Sequence, residues 1–231
     1  KDLYHNIRGL NHKGHITIGV TSQFGLRMLT EIIPVYKKEF PQVTIEITES
    51  NVPTLTRMIL EEGIDCAVMA LNCADAFAGE QVSLLRKEEV LFAVPAAHGY
   101  CLRNRTGNLT REELVREFKD ENFMLSKKGS TLRELADRIF ASAGFQPSTM
   151  CETNSIIATR AMVAKGIGVT FIARSCVSDR ENVAYYSLNP RMYRYNALVR
   201  RKNLIQNEPE RALFRYIRGY FERQDEDGPG D

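Results

Sequence analysis

Several features that would assign this chain to a class are missing. It has no run of about 18 apolar residues, which excludes a membrane-spanning helix. No signal-peptide pattern opens it. There is little charge imbalance: 31 Lys and Arg stand against 29 Asp and Glu, a formal net charge of +2. A self-sufficient nucleic-acid binder usually gathers a basic surplus on one face. Low-complexity tracts are absent. So are the Gly-x-Ser-x-Gly elbow of a hydrolase nucleophile, the Walker loop and the Gly-x-Gly-x-x-Gly fingerprint. Gly166-Ile167-Gly168 precedes a strand pattern, the wrong context for a phosphate loop. The four histidines, His5, His12, His15 and His98, lack the spacing of metal ligands and stand beside no recognisable nucleophile. No enzyme, no metal and no cofactor is therefore expected.

Cysteine usage points the same way. Cys66, Cys73, Cys101, Cys151 and Cys176 are odd in number and show no C-x-x-C spacing, which argues against an exported disulfide scaffold and for a cytoplasmic protein. Cys66 and Cys151 fall in strand patterns, where a free thiol acts as a small hydrophobe. A redox switch using two of the five stays open as an alternative.

What is present is an ordinary folding composition: 231 residues, 43% apolar and 26% charged. That length suits one large domain or two small ones. Because the first residue is Lys1, the chain is expected to be a fragment or a processed form. The densest basic stretch, 191–202, carries Arg191, Arg194, Arg200, Arg201 and Lys202. Tyr193, Tyr195 and Leu198 interleave as strand residues, so the stretch reads as a solvated strand edge and turn rather than a phosphate-contacting patch.

Along the chain, strand and helix patterns alternate. Ile16 to Val20 alternates as a strand, then Thr21 or Ser22 can cap a helix carrying Met28, Leu29, Ile32, Ile33, Val35, Tyr36 and Phe40. Pro34 falls inside that helix and is expected to kink or divide it. A strand over 43–48, a helix over 53–61 with Pro53 in its first turn, and a short apolar strand over 64–69 complete a β-α-β-α-β series. Such a series implies a parallel sheet. Two strands follow, over 82–85 and 89–94, and then a loop over 96–111. A second α/β series begins with Thr110 capping a helix over 111–118, where Glu113 completes a capping box. Next come a strand over 123–125, a helix from Ser130 or Thr131 to Ala143 closed by Gly144, and a strand over 149–152. A helix over 155–165 closed by Gly166, strands over 167–172, 183–188 and 195–199, and a last helix over 208–221 finish the pattern.

Two β-α-β series joined by two strand-like connections suggest two lobes. In open α/β sheets the ligand sits beyond the carboxyl ends of the strands, so a cleft between the lobes is expected, with hinge closure around a small molecule.

The span from about His15 to Phe221 resembles the effector-binding domain of LysR-type transcriptional regulators. The resemblance is carried by Gly14-His15-Ile16-Thr17-Ile18-Gly19 and by Ile32-Ile33-Pro34-Val35-Tyr36 leading to Phe40-Pro41. It continues in Gly63-Ile64-Asp65-Cys66-Ala67-Val68, in Glu89-Val90-Leu91-Phe92-Ala93-Val94-Pro95 with His98, and in residues 162–169, Met-Val-Ala-Lys-Gly-Ile-Gly-Val. Singly each motif is weak; their order and spacing over some two hundred residues are specific. Thr30 and Ala173 stand where the family commonly has proline, and the Gly before the Asp65 strand is displaced by one residue. These departures touch local geometry only.

The resemblance implies an α/β, two-lobed periplasmic-binding-protein-like (type 2) fold: two mixed sheets with helices on both faces and a hinge of two crossover strands. Lobe I would take residues 14–88 plus 195–223, and lobe II residues 89–194. Residues 1–13 resemble the end of the family's linker helix, and 224–231 read as a frayed tail. In the family a helix-turn-helix ahead of that linker binds DNA, so DNA would be a partner only through a part not in this sequence.

Site residues follow from both readings. Thr21, Ser22 and Gln23 stand at a helix start just past the first strand, where unpaired N–H groups attract anions. Ser126, Gly129, Ser130 and Thr131 form the matching turn of the second series, and Thr153 and Asn154 open the next helix. For Thr21, Ser22 and Ser130, simple capping is the competing reading. The resemblance places effector contacts at all these positions; Ala70 and Val52 are weaker candidates. Arg133, Arg160 and Arg27 read as solvated residues or structural ion pairs before ligand cations. The expected effector is a small carboxylate, an amino acid or another anion. The apolar stripe of the first helix, around Met28, Ile32 and Val35, is wider than one contact needs. It predicts a homodimer or tetramer with a two-fold interface of roughly 1,200–2,000 Å². The alternative is a transporter's solute-binding protein, which shares the fold but is exported and seldom carries five cysteines.

Overall fold

The computed structural model describes residues 14–21, 23–73, 77, 81–104, 107–202, 204 and 206–226. The readings of residues 1–13 and of Ser22 lie outside them, as does the end of the predicted tail. In chain order the elements are β1 (His15–Val20), α1 (Gln23–Glu39), β2 (Thr44–Glu49), α2 (Val52–Leu60), β3 (Cys66–Leu71) and β4 (Val82–Pro95). Then come α3 (Gly99–Arg103), β5 (Asn108–Thr110), α4 (Arg111–Phe118), β6 (Asn122–Leu125), α5 (Thr131–Ala143) and β7 (Ser148–Glu152). The last are α6 (Ile156–Ala164), β8 (Thr170–Ala173), β9 (Val183–Arg200) and α7 (Glu208–Glu226). These form two compact units, one comprising the chain to Arg86 and from Tyr195 onward, the other Lys87 to Arg194.

In the first unit β1 pairs in parallel with β2 (Ile18 opposite Ile47) and with β3 (Ile18 opposite Cys66). The end of β9 pairs antiparallel with β3, Cys66 opposite Arg200. Asp65 ties the strands at their amino ends: its carboxylate accepts from the Thr17 amide at 2.8 Å and the Thr17 hydroxyl at 2.9 Å. The core joins β1 to α1 and α7, with Ile16, Ile18 and Val20 against Met28, Ile32, Tyr36, Leu213, Ile217 and Phe221.

α1 corrects two expectations. It is not divided at Pro34 but continues to Glu39, although an interior proline costs a helix about 3 kcal/mol. The buried face offsets that cost. Thr30, whose carbonyl loses its donor to Pro34, lies on the exposed side with it, where water can replace the bond. Nor is the apolar stripe surplus: Met28 and Ile32 are 0% and 3% exposed in the chain's own core, and of the predicted trio only Val35, at 48%, faces solvent.

In the second unit β4 pairs antiparallel with β8, β5 pairs in parallel with β9, and β6 in parallel with β7. Phe92, Phe118, Phe123, Phe140 and Phe171 form the centre of the core. The Thr110–Glu113 capping box starts α4 as predicted, and Ser130 rather than Thr131 caps α5. The backbone of Gly168 crosses β6 so closely that an added Cβ would lie 2.2 Å from the Asn122 carbonyl oxygen. The Val169 amide donates to that same oxygen at 2.8 Å, which explains the glycine.

Several predicted boundaries move. Residues 96–111 hold the short helix α3, capped by His98, and strand β5. The segments read as separate strands at 82–94 and 183–199 are continuous, as β4 and β9. α7 continues to Glu226, into the stretch read as a tail. The basic stretch at 191–202 is no strand edge, because β9 lies between β3 and β4. Arg194 within it is 6% exposed and pairs through Nε with Glu88 Oε2 at 2.9 Å. The other Glu88 oxygen accepts from the Ser175 amide at 2.9 Å, and the adjacent Glu89 is bonded by Arg174 Nε at 3.2 Å. Burial is the largest single influence on Arg194 and opposes its charge, but the charge and hydrogen bond of Glu88 together with the nearby Cys176 hold the guanidinium pKa above its ordinary value. Among the described residues no helix is long and apolar enough to cross a membrane.

Candidate functional site

Parallel strands deliver their carboxyl ends to one side of a sheet, and the chain must turn there to begin each helix. In the first unit that turn is held by Thr21. Its amide donates to the Val68 carbonyl at 3.3 Å, and its hydroxyl oxygen accepts from the Ala70 amide at 3.0 Å. Thr21 thus joins the ends of β1 and β3, bringing two predicted residues, Thr21 and Ala70, together. Ala70 is buried, 4% exposed, so it offers little surface of its own. Gln23 opens α1. At the neighbouring strand end the Asn51 side chain caps α2 by accepting from the Thr54 amide at 2.9 Å, with Val52 as the helix's first residue.

The second unit carries the more elaborate arrangement. Leu125 and Glu152 stand opposite each other at the ends of β6 and β7. The turns that follow are stitched together: the Thr153 amide donates to the Leu125 carbonyl at 3.0 Å, and the Lys127 amide to Asn154 Oδ1 at 3.0 Å. Gly129 has φ +82°, a left-handed conformation that residues with a Cβ rarely adopt. This lets residues 126–130 double back to α5. Ser130 Oγ accepts from the Arg133 amide at 3.2 Å, so the capping reading of Ser130 holds. Thr131 is 7% exposed, at the start of the helix's buried side. α6 is capped by Ser155, whose Oγ accepts from the Ala158 amide at 3.3 Å; Thr153 Oγ1 accepts from the Ser155 amide at 3.1 Å. Thr153 and Asn154 therefore precede α6 and shape its entry rather than cap it.

Arg133 is the residue that binds these parts into one object. Its guanidinium donates to the Ser126 carbonyl at 3.1 Å, to Asp137 Oδ1 at 2.8 Å and, more closely, to Glu152 Oε1. The hydrogen bond from Arg133 holds the Glu152 carboxyl below its ordinary pKa. Of the two expectations for Arg133, the structural ion pair is the one found. Arg160 likewise donates to a backbone carbonyl, that of Cys176, at 2.9 Å.

With these acceptors spent, the polar groups still able to meet a ligand are few. Thr153 keeps its hydroxyl proton. Ser126 is half-buried and its hydroxyl bonds to no described residue. Lys127 and Lys128 are exposed and stand between Ser126 and Gly129, giving the turn a positive rim. The donors these turns present are therefore the Ser126 and Thr153 hydroxyls and the two lysine ammonium groups. Among the described residues no three His, Cys, Asp or Glu side chains gather as a metal site needs, and all five cysteines are free thiols.

The sequence reading missed the role of Asn154 as a stitch between turns and the buried pair of Glu88 and Arg194. The spacing of 27 residues between Lys127 and Asn154 carries no local signal for the first. For the second, a glutamate pair at the gap between two strand patterns was the available hint.

Residues 11–222 match the family model described as the LysR substrate binding domain. A probable RuBisCO transcriptional regulator of Trieres chinensis is 23% identical over 169 residues, 71% of this chain and 53% of the relative. The chain thus spans about half the length of that relative. Among solved structures, the reduced form of OxyR superposes with a TM-score of 0.69 at 24% identity, covering 95% of this chain and 99% of that one. The BenM effector binding domain with its effector benzoate gives a TM-score of 0.67 at 22% identity, covering 92% and 94%. Both likenesses show the fold, an α/β fold of the type 2 periplasmic-binding-protein-like kind.

Proposed function

We propose, since this chain belongs to the LysR substrate binding domain family, that it is the effector-sensing part of a DNA-binding transcription regulator, and that its effector is a small carboxylate, an amino acid or another small anion. The family is one of transcription regulators, and the reading includes no catalytic step. The observation that carries it is the stitched pair of turns at residues 126–131 and 153–154. There Arg133 fixes the backbone while Ser126 and Thr153 keep hydroxyl donors and Lys127 and Lys128 supply positive charge. Within the first unit, Thr21, Ser22 and Gln23 at the β1–α1 turn and Ala70 at the end of β3 are further proposed effector contacts. A benzoate-binding relative of the same fold supports a carboxylate as the ligand class. In the full protein, DNA contact, dimer or tetramer formation and a cytoplasmic setting complete the proposal.

A thermal-shift screen of carboxylates, amino acids and inorganic anions tests the reading. A true effector at 100 times its dissociation constant adds about 2.7 kcal/mol to stability. For the hit, Ser126→Ala and Thr153→Ala should each weaken binding about tenfold, the size of one hydrogen bond to a charged group. A hit whose affinity is unchanged in both variants would refute the site.

A further inference from the structure

The second unit carries another concavity, at the opposite end of α5 from the stitched turns. Its floor is Leu109, Leu114, Ile139 and Leu188, each at most 8% exposed, with Met192 beside them. It is a half-open groove: about 320 Å³ of space lies within it when open solvent is counted, and about 40 Å³ is comparable with the volume of an enclosed cavity. Sites for small ligands are of this kind, mostly apolar with a few polar groups that fix orientation.

The rim supplies those groups, and they are of one sign. Arg111 is the only charged residue of the lining. Among the described residues no carboxylate is bonded to it. Glu113, two positions on, is committed to the capping box, where it accepts from the Thr110 amide at 2.9 Å. The Asn189 side chain, also on the rim, bonds to no described group. Ser142 donates to the Ile139 carbonyl at 2.9 Å and offers no proton. One cation and one amide donor thus stand over an apolar floor, with no anion in the lining.

We infer that this concavity binds a small monocarboxylate with an apolar body, an aromatic or branched aliphatic acid. The body lies on Leu109, Leu114, Ile139 and Leu188. The carboxylate meets the Arg111 guanidinium, which can take it through two parallel hydrogen bonds, and the Asn189 amide. The site shares no residue with the stitched turns and stands or falls independently of the reading proposed for them.

The test is a methyl NMR titration of the intact chain with phenylacetate and with its uncharged analogue phenylacetamide. Saturable shifts of the Ile139, Leu188 and Met192 methyl signals are expected with phenylacetate. Arg111→Gln should weaken binding about tenfold, the effect of removing one charge-assisted hydrogen bond, and phenylacetamide should bind more weakly by a similar factor. Ser142→Phe, an exposed position at the rim, should block binding while the remaining spectrum stays in place. Shifts confined to residues 126–131 and 153–154 would overturn the proposal. So would affinity indifferent to Arg111→Gln and Ser142→Phe, or floor signals that move with protein concentration and not with the acid, which would assign the groove to a second copy of the chain.

Discussion

Replacing Arg194 by Met keeps the length of the side chain and removes its charge. Glu88, 3% exposed, would then lose the guanidinium that sits 2.9 Å from its Oε2 and keep the Ser175 amide at 2.9 Å on its other oxygen. Removing one partner of a buried pair costs about 3–5 kcal/mol, because the remaining charge loses the opposite charge that compensates it. For a chain of this size each kcal/mol moves the melting temperature by about 2–4 °C, so Arg194→Met should lower it by roughly 6–20 °C. Glu88→Gln strands the arginine instead and should cost a similar amount. The double variant removes both charges while the new amide keeps a carbonyl oxygen for Ser175. It should therefore be more stable than the sum of the single effects implies, by about 2 kcal/mol or more. Urea unfolding followed by circular dichroism measures all four proteins. Additive losses, or an Arg194→Met variant within about 1 kcal/mol of the parent, would refute the claim that these charges depend on each other.

Gly168→Ala places a methyl group against a backbone oxygen of β6, which cannot swing aside as a side chain can. It should destabilise the chain by about 1–3 kcal/mol in urea unfolding, and a loss under about 0.5 kcal/mol would contradict the close crossing. Arg133→Gln should raise the Glu152 carboxyl pKa toward its ordinary value of 4.5, as read by NMR titration. Because the folded state holds that pKa down, the unfolded chain binds more protons just below 4.5, so stability there rises with pH and is lost as pH falls through the folded-state pKa. The variant should flatten that dependence; an unmoved Glu152 titration would remove Arg133 from the turn's electrostatics.

Much of the secondary structure is legible because its signals are local. Thr110 and Glu113 are three residues apart, Pro53 sits in the first turn it favours, and Gly144 and Gly166 follow the helices they end. What escapes local reading is pairing at long range. The run Arg86-Lys87-Glu88-Glu89 looks like a gap between two strands until Arg194 and Arg174, 106 and 85 residues away, supply its charges. The wide stripe of α1 suggests an external partner because α7, nearly two hundred residues later, cannot be known to cover Met28 and Ile32. The candidate turns are legible as polar helix starts, since hydroxyl residues there have capping chemistry. Which hydroxyls are spent on the chain itself depends on Ala70, Ser155 and Arg133, and for Thr21 it is a neighbour 49 residues away that decides.

The pair of Glu88 and Arg194 also bears on how such a chain can be assembled. These residues stand at the two limits of the second unit, 106 positions apart in sequence and in contact in space. A segment whose ends meet behaves as a cassette. Such a segment can enter a host through one gap between neighbouring strands, or be exchanged for another of its kind without rethreading the rest. The first unit has no such freedom, since it consists of two pieces separated by the whole of the second. Recombination among relatives should therefore swap residues 87–194 as a block, and leave the flanking pieces to travel together.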